Sequence, residues 1–385
     1  MTEIGVHDLV GRLEARVGEM VELLDTLVSS ESPSNDPVLL AATADLIADR
    51  GSCLLGTKPE RITGPGAPAL RWSLPGVRCG GRPVLILAHL DTVWPVGTIA
   101  RWPFSVDGDR ATGPGAFDMK AGLVQALFAV AALDETDLDR PPVVVLVTAD
   151  EEIGSPSGRD VIESVARDVS AVLVLEASET GRLKVARKGV SNYDLHVTGR
   201  SAHAGLEPEK GVNALVAAAG LVLAVEALGA QELGTTVTPT TATAGTTRNT
   251  VPATASVALD VRAATIAEQQ RVDDGIRALR CDNGSALTIE GGVNRPPMEE
   301  ESSSRLLALA RRAAERCGLG AIDVARVGGG SDGNLTAALG VPTLDGLGAV
   351  GAGAHAEGEY VLVSSMPERA ALLAALIIEI GRELR

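Results

Sequence analysis

Three short, uninterrupted apolar runs constrain this chain more than any other feature: PVLILAHL at 83–90, PPVVVLVTA at 141–149 and SAVLVLEA at 170–177. A strand with one wet face alternates apolar and polar residues, so runs without alternation predict strands buried on both faces. A helical stretch, Ala121 to Leu133, separates the first two, and another, Gly158 to Arg167, separates the last two. Strand, helix, strand in that order predicts an α/β layer with parallel pairs.

Elsewhere the pattern is more varied. From Asp8 to Val28 apolar residues recur at three- and four-residue steps, which predicts one amphipathic helix ended by SSESPSNDP, and a second helix fits 37–49. The character changes near Val190. NYDLHVT (192–198) alternates like a half-exposed strand, 211–229 reads as an Ala/Leu/Val-rich helix, and 235–262 holds two strands around Gly245 to Thr250. A polar helix (Ile266 to Leu279) and a last strand (Ala286 to Glu290) complete a β-α-β-β-α-β order, the split arrangement of a ferredoxin-like unit. From Ser302 the chain returns to a helix, a Gly-rich loop, a short strand and a long helix, Met366 to Leu384. The expected organisation is an α/β domain with a mostly parallel central sheet (1–189 and 300–385), interrupted by a smaller α+β domain (190–299).

Composition excludes some functions. At 385 residues the chain exceeds the size at which one core usually stops growing, and 45% hydrophobic residues can fill two. Aromatic residues are only 2% and the net charge is −16, so base-stacking platforms are scarce and a phosphate backbone is repelled; nucleic acid is not an expected partner. The cysteines, Cys53, Cys79, Cys281 and Cys317, form no CxxC pair and read as buried thiols. The N-terminus lacks the pattern of a secretory signal, and the apolar runs read as too short to span a bilayer, so no membrane and a cytoplasmic location are expected.

Each buried run ends in a group that can bind metal. His89 closes the first, with Asp91 two residues on; TADEEIG closes the second with Asp150, Glu151 and Glu152; VLVLEAS closes the third with Glu176. In open α/β sheets, ligands bind outside the carboxyl ends of the strands. A lone His at a strand end is most often structural, and acidic residues are common at helix starts, but three such ends together are hard to assign to accident. Asp118 sits in the Gly-rich ATGPGAFDMKAG, and His355 in GAGAHAEGEYV. His89, Asp118, Glu152, Glu176 and His355 make one set of imidazoles and carboxylates for two zinc ions sharing a bridging carboxylate, and a thiolate-free set suits catalysis rather than structure. Adjacent glutamates in such a turn need not share a face, so one can ligate metal while the other reaches a bound water.

The ordered set HLD, GPGAFDMKAG, DEEIGS, LEAS and GAHAEGEYV resembles the M20 metallopeptidases, most nearly the glutamate carboxypeptidase subgroup. GRSAHAGLEPEKGVNA, GTTRNTVPA with DVR, and GGGSDGN resemble the family's further segments, so the likeness runs from the first buried strand to the end. It implies a zinc-peptidase-like catalytic domain with an inserted lid and dimerisation domain. It also implies His89 and Glu176 on one zinc, Glu152 and His355 on the other and Asp118 bridging, with cobalt or manganese as alternatives. Glu151 becomes the general base and Asp91 the group orienting His89. Many relatives carry Asp where Glu176 stands, and glutamate there favours the carboxypeptidase subgroup. His203 corresponds to a histidine that, in dimeric relatives, reaches the partner's site and stabilises the tetrahedral oxyanion. Asn249 and Arg262 correspond to lid and substrate contacts, and Arg295 to a grip on the substrate carboxylate. A surface salt bridge is the competing reading for both arginines.

The expected activity is therefore hydrolysis of an amide in an N-acyl amino acid or at a glutamate-type C-terminus, on a small substrate with a free carboxylate, by a homodimer joined through the lid. The alternatives are a deacylase of the acetylornithine deacetylase, succinyl-diaminopimelate desuccinylase or aminoacylase type, and an inactive binding module. A third, phosphate binding by GGGSDGN or GPGAFD, lacks the required strand-to-helix context.

Overall fold

The computed structural model describes residues 5–64, 68–136 and 138–383. The first four residues and Leu384, the expected end of the last helix, lie outside these. Contacts group the chain into two compact units. The first comprises 1–186, 300–326 and 331–385; the second comprises 187–299 and 327–330.

The first unit is organised by a six-stranded sheet in the order Glu60–Ile62, Ala69–Leu74, Val143–Thr148, Val84–His89, Ala171–Val174, Thr343–Leu344. Val84–His89 runs parallel to both neighbours, with His89 opposite Thr148 and Leu87 opposite Val174. The chain leaves this strand, forms a neighbour on one side, then crosses to form the neighbour on the other. That reversal makes its carboxyl end a switch point, where a crevice opens. The strands of the three apolar runs, Val84–His89, Val143–Thr148 and Ala171–Val174, are buried throughout because both faces are covered. Val84, Ile86 and Ala88 face the larger core with helices Pro37–Leu55, Ala121–Asp134, Glu301–Cys317 and Ser365–Glu383, whereas Leu85 and Leu87 face a smaller one with Gly158–Ala166 and Gly333–Ala338.

Several local expectations are corrected. The single helix over 8–28 is two, Asp8–Glu14 and Val17–Val28, parted where the Arg16 N–H bonds the Leu13 carbonyl. The second helix continues to Leu55: Asp36 caps its start by accepting from Val38 and Leu39 N–H, and Gly56 ends it in the left-handed conformation. The antiparallel strand Ala69–Leu74 is new, as is a five-stranded sheet in the order Ser105–Asp107, Arg110–Thr112, Tyr360–Leu362, Val350–Ala352, Ser178–Glu179. The stretch Ala116–Asp134 does reach membrane-spanning length and apolarity, contrary to the reading above, but 94% of its apolar window is packed inside the protein. Such burial marks the central helix of a folded core. Of the cysteines read as buried, Cys53 is exposed, Cys79 and Cys281 are partly buried, and Cys317 is buried.

In the second unit, strands Thr236–Ala244, Thr254–Ala263, Gly189–Thr198 and Ala286–Arg295 form an antiparallel sheet in that order, with helices Ala214–Glu226 and Ile266–Arg277. The order is that of the ferredoxin-like pattern. Asn213 caps the start of the first helix by accepting from Leu215 and Val216 N–H, and the helix occupies Ala214–Glu226 of the expected 211–229. Leu215, Val216 and Leu223 on that helix are exposed, and Thr236–Ala244 is an edge strand with most residues exposed.

Candidate metal centre and active site

The sheet fixes three chain ends before any side chain is considered. Past His89, the Asp91 carboxylate accepts from the N–H groups of Glu151 and Glu152, each at 3.1 Å, tying the end of one strand to the acidic turn after the next. The Ser34 hydroxyl donates to the same carboxylate at 2.7 Å. His89 Nδ1 lies 3.0 Å from the Asp91 carbonyl oxygen and 3.3 Å from Asp91 Oδ1. An Nδ1–H donated there leaves Nε2 as a lone-pair donor towards the crevice. Asp150, also in the acidic turn, instead accepts from Ser157 and Gly158 N–H at the start of the next helix.

Glu176 is set by close backbone packing. A Cβ on Gly122 would stand 2.3 Å, and one on Gly348 2.1 Å, from the Leu175 carbonyl oxygen, so two glycines clamp the residue before it. The buried Arg369 guanidinium, pushed down to about 10 by burial, donates to the carbonyls of Gly348 and Gly346 and holds that loop. His355 is carried between Val350–Ala352 and Tyr360–Leu362, paired antiparallel with Ala352 opposite Tyr360.

These elements bring five side chains together. His89 Nε2 lies 3.6 Å from Asp118 Oδ1 and 3.7 Å from Glu176 Oε1. His355 Nε2 lies 3.3 Å from Asp118 Oδ2 and 3.1 Å from Glu152 Oε2. The two oxygens of Asp118 therefore face different imidazoles. Two groups have ligand atoms within 4.8 Å of one another: His89 with Asp118 and Glu152, and His89 with Glu151 and Glu176.

The chemistry of the set fits metal. His89 Nε2, Asp118 Oδ1 and Glu152 Oε1 are buried polar atoms without a hydrogen-bond partner, an arrangement that is costly unless a cation takes the lone pairs. Burial works against a charged His89, yet Asp118 and Asp91 raise its pKa well above the ordinary value. Hydrogen bonds donated by its ring to the Asp118 and Glu152 carboxylates push His355 up to about 10. For Asp118 burial works upward, but the two imidazoles hold the carboxyl well below its usual range. A pocket that draws protons onto imidazoles in this way has an excess of buried negative charge, which divalent cations can neutralise.

One organising residue lay unread in the His355 motif. Glu359 is fully buried, and its carboxylate accepts from Trp94 Nε1 at 2.9 Å, from Asp118 N–H at 3.3 Å and from Gly115 N–H. Burial pushes its carboxyl up to about 7. It holds the loop bearing Asp118, whose peptide to Met119 is cis.

The model of peptidase family M20/M25/M40 matches residues 85–379. The chain belongs to that family. It is 34% identical to carboxypeptidase G2 of Pseudomonas sp. (strain RS-16) over 314 residues, 78% of this chain and 75% of that one. Its fold matches aminopeptidase PepT of Bacillus cereus ATCC 10987 with a TM-score of 0.78 at 24% identity, covering 94% and 98% of the two chains. It also matches the Bacillus subtilis YXEP protein, described as a dinuclear metal binding peptidase, with a TM-score of 0.66 at 16% identity, covering 95% and 98%. This M20 chain is accordingly a hydrolytic enzyme acting on amide bonds, with the family's catalytic fold and ferredoxin-like second unit.

The remaining predicted residues of the M20 chain lie in the second unit. His203 is exposed, and its Nδ1 accepts from Gly205 and Leu206 N–H at 3.1 Å each, which leaves the proton on outward Nε2. The Asn249 carbonyl accepts from Ala204 N–H at 2.9 Å, joining its loop to that of His203. Arg262 and Arg295 are both register partners of Val190, at one end of the sheet. Arg262 makes a two-pronged pair with Asp260 at 2.9 and 2.7 Å, the salt bridge of the competing reading, while Arg295 is buried. His7 is exposed beside Asp8, and His196 Nδ1 lies 3.1 Å from the Ser256 hydroxyl.

Proposed function

We propose that this M20 hydrolase uses two zinc ions to release the amino-acid end of an N-acylated amino acid or small peptide, in the manner of a glutamate-releasing carboxypeptidase. The observation that carries the reading is Asp118, whose two oxygens stand 3.6 and 3.3 Å from two different imidazoles, as a bridging ligand requires. His89 and Glu176 would hold one ion, Glu152 and His355 the other. Paired zinc ions supply Lewis acidity towards the scissile carbonyl. Glu151 takes a proton from the attacking water and returns one to the leaving nitrogen. Its backbone N–H is fixed by Asp91, the residue that also orients His89.

His203 is assigned the oxyanion donor's role from the partner subunit, supported by the tautomer its two backbone bonds impose. Arg295, Arg262 and Asn249 are assigned to the substrate's carboxylate end. Homodimerisation is supported by the exposed Leu215, Val216 and Leu223 beside an exposed edge strand, since such surfaces are normally covered. The four thiols are unpaired, which is in keeping with a cytoplasmic location.

The test is metal analysis of the purified protein together with hydrolysis of N-acyl and C-terminal glutamate, aspartate and neutral amino acid substrates, with and without chelator. About two zinc ions per chain and chelator-sensitive release of glutamate are expected. Bound metal without turnover on any substrate would return the chain to the binding-module reading.

A further inference from the structure

Beside Glu152 the first unit carries a cavity of about 600 Å³. Its wall includes Val93, Trp94, Pro95, Val96 and Ile153, and Val96 and Ile153 are 60% and 48% exposed. The wall is preorganised. Trp94 is pinned through Nε1 to the buried Glu359 and stacks edge-on against Trp102 at 5.1 Å. The Glu31 carboxylate accepts from Gly97 N–H at 2.9 Å and Ile99 N–H at 3.1 Å, which fixes the turn following Val96.

The polar members of the lining are mostly committed: the Ser34 hydroxyl bonds Asp91, and Asp36 caps a helix. Among the described residues no Lys, Arg or His lines the cavity, whereas Asp36 and Glu152 bring negative charge to it. The carboxylate of a leaving amino acid demands a cationic partner, so this cavity does not suit that end of the substrate. It borders a proposed metal ligand and therefore suits the opposite side of the scissile bond. We propose that this cavity is the acyl subsite, and that it selects uncharged apolar acyl groups larger than acetyl while rejecting anionic ones such as succinyl. The inference rests on the proposed metal-dependent amide hydrolysis and gives that reaction its substrate class on the acyl side.

The experiment measures kcat/KM for acetyl, hexanoyl, benzoyl and succinyl derivatives of one amino acid, using the metal-loaded enzyme and the variants Val96→Lys and Ile153→Ser. Tryptophan fluorescence during titration with hexanoate or succinate, with Trp94→Phe as control, gives a readout independent of turnover. Hexanoyl is expected to exceed acetyl by about tenfold or more, with succinyl lowest and with hexanoate alone changing the Trp94 signal. Val96→Lys should raise the succinyl-to-hexanoyl ratio about tenfold, and Ile153→Ser should lower the hexanoyl-to-acetyl ratio with metal content retained. Hydrolysis with a flat acyl series, or with succinyl preferred by the unmodified enzyme, overturns the subsite. Unchanged ratios in both variants overturn it too. If no substrate is cleaved but hexanoate still reports through Trp94, the hydrolase reading fails and the apolar subsite stands.

Discussion

The carboxyl edge of the central sheet and the loops of the second unit carry candidate residues in opposite ways. At the sheet edge, His89 and Glu176 are almost wholly enclosed, and the backbone of each is fixed by parallel pairing, glycine contacts or carboxylate bonds. In the second unit, His203 and Asn249 are exposed and held by a few bonds within one loop pair. A metal centre requires several ligands within tenths of an ångström, so even its loop-borne members are tied down, Asp118 through the buried Glu359 and the half-exposed His355 between two paired strands, whereas a single hydrogen-bond donor can be presented by a loop alone.

The comparison is broken most severely by Asp118→Asn. Because one carboxylate faces both imidazoles, the variant should lose metal at both positions, seen by metal analysis, with turnover down on the order of 10³-fold or more. Retention of two ions would show that Asp118 does not bridge. Glu151→Gln is expected to keep metal and Tm while kcat falls about 10²- to 10⁴-fold; full activity would remove Glu151 as the base.

His203→Ala probes the other side of the comparison. It should lower kcat by about 10²- to 10³-fold with unchanged metal content, and metal loss would mean that the residue has been misassigned. Gly348→Ala sharpens the claim of rigidity. With the new Cβ 2.1 Å from the Leu175 carbonyl, Glu176 must shift, and zinc affinity measured by chelator competition should weaken about 10- to 100-fold.

The smallest effect is one of pH on the second unit. Hydrogen bonds from Arg271 at 2.7 and 2.8 Å, and from Thr235 at 2.7 Å, hold the Glu268 carboxyl down to about 2 from its ordinary 4.5. Its folded value lies below its unfolded one, so this stabilisation is complete above about pH 4.5 and is lost as pH falls towards 2. Urea denaturation of the parent chain and Glu268→Gln should therefore show a stability difference that closes over that window. A difference independent of pH would assign the effect to something other than this charge.

Much of this was legible in the sequence because burial on both faces leaves an unmistakable pattern. The runs ending at His89, before the Glu151–Glu152 turn and before Glu176 had to be interior strands, and parallel strands put their carboxyl ends on one edge. The order of elements in the second unit was readable for a similar reason, since alternating strands and helix periods carry their own signatures. The division of the first helix at Arg16 and the strand Ala69–Leu74 were not readable, because local periodicity does not reveal a tight turn or an antiparallel pairing made at a distance.

Only tertiary structure decided how the ligands meet. That Asp118 faces His89 with one oxygen and His355 with the other depends on loops more than two hundred residues apart in sequence, joined through a buried Glu359 that no spacing rule marks. The fixed wall of Trp94, Val96 and Ile153 beside Glu152 is likewise a product of long-range contacts. Sequence determined which residue types stand at the strand ends, because periodicity and burial are local properties; distances, orphaned lone pairs and cavities arise between segments, and only the packed chain sets them.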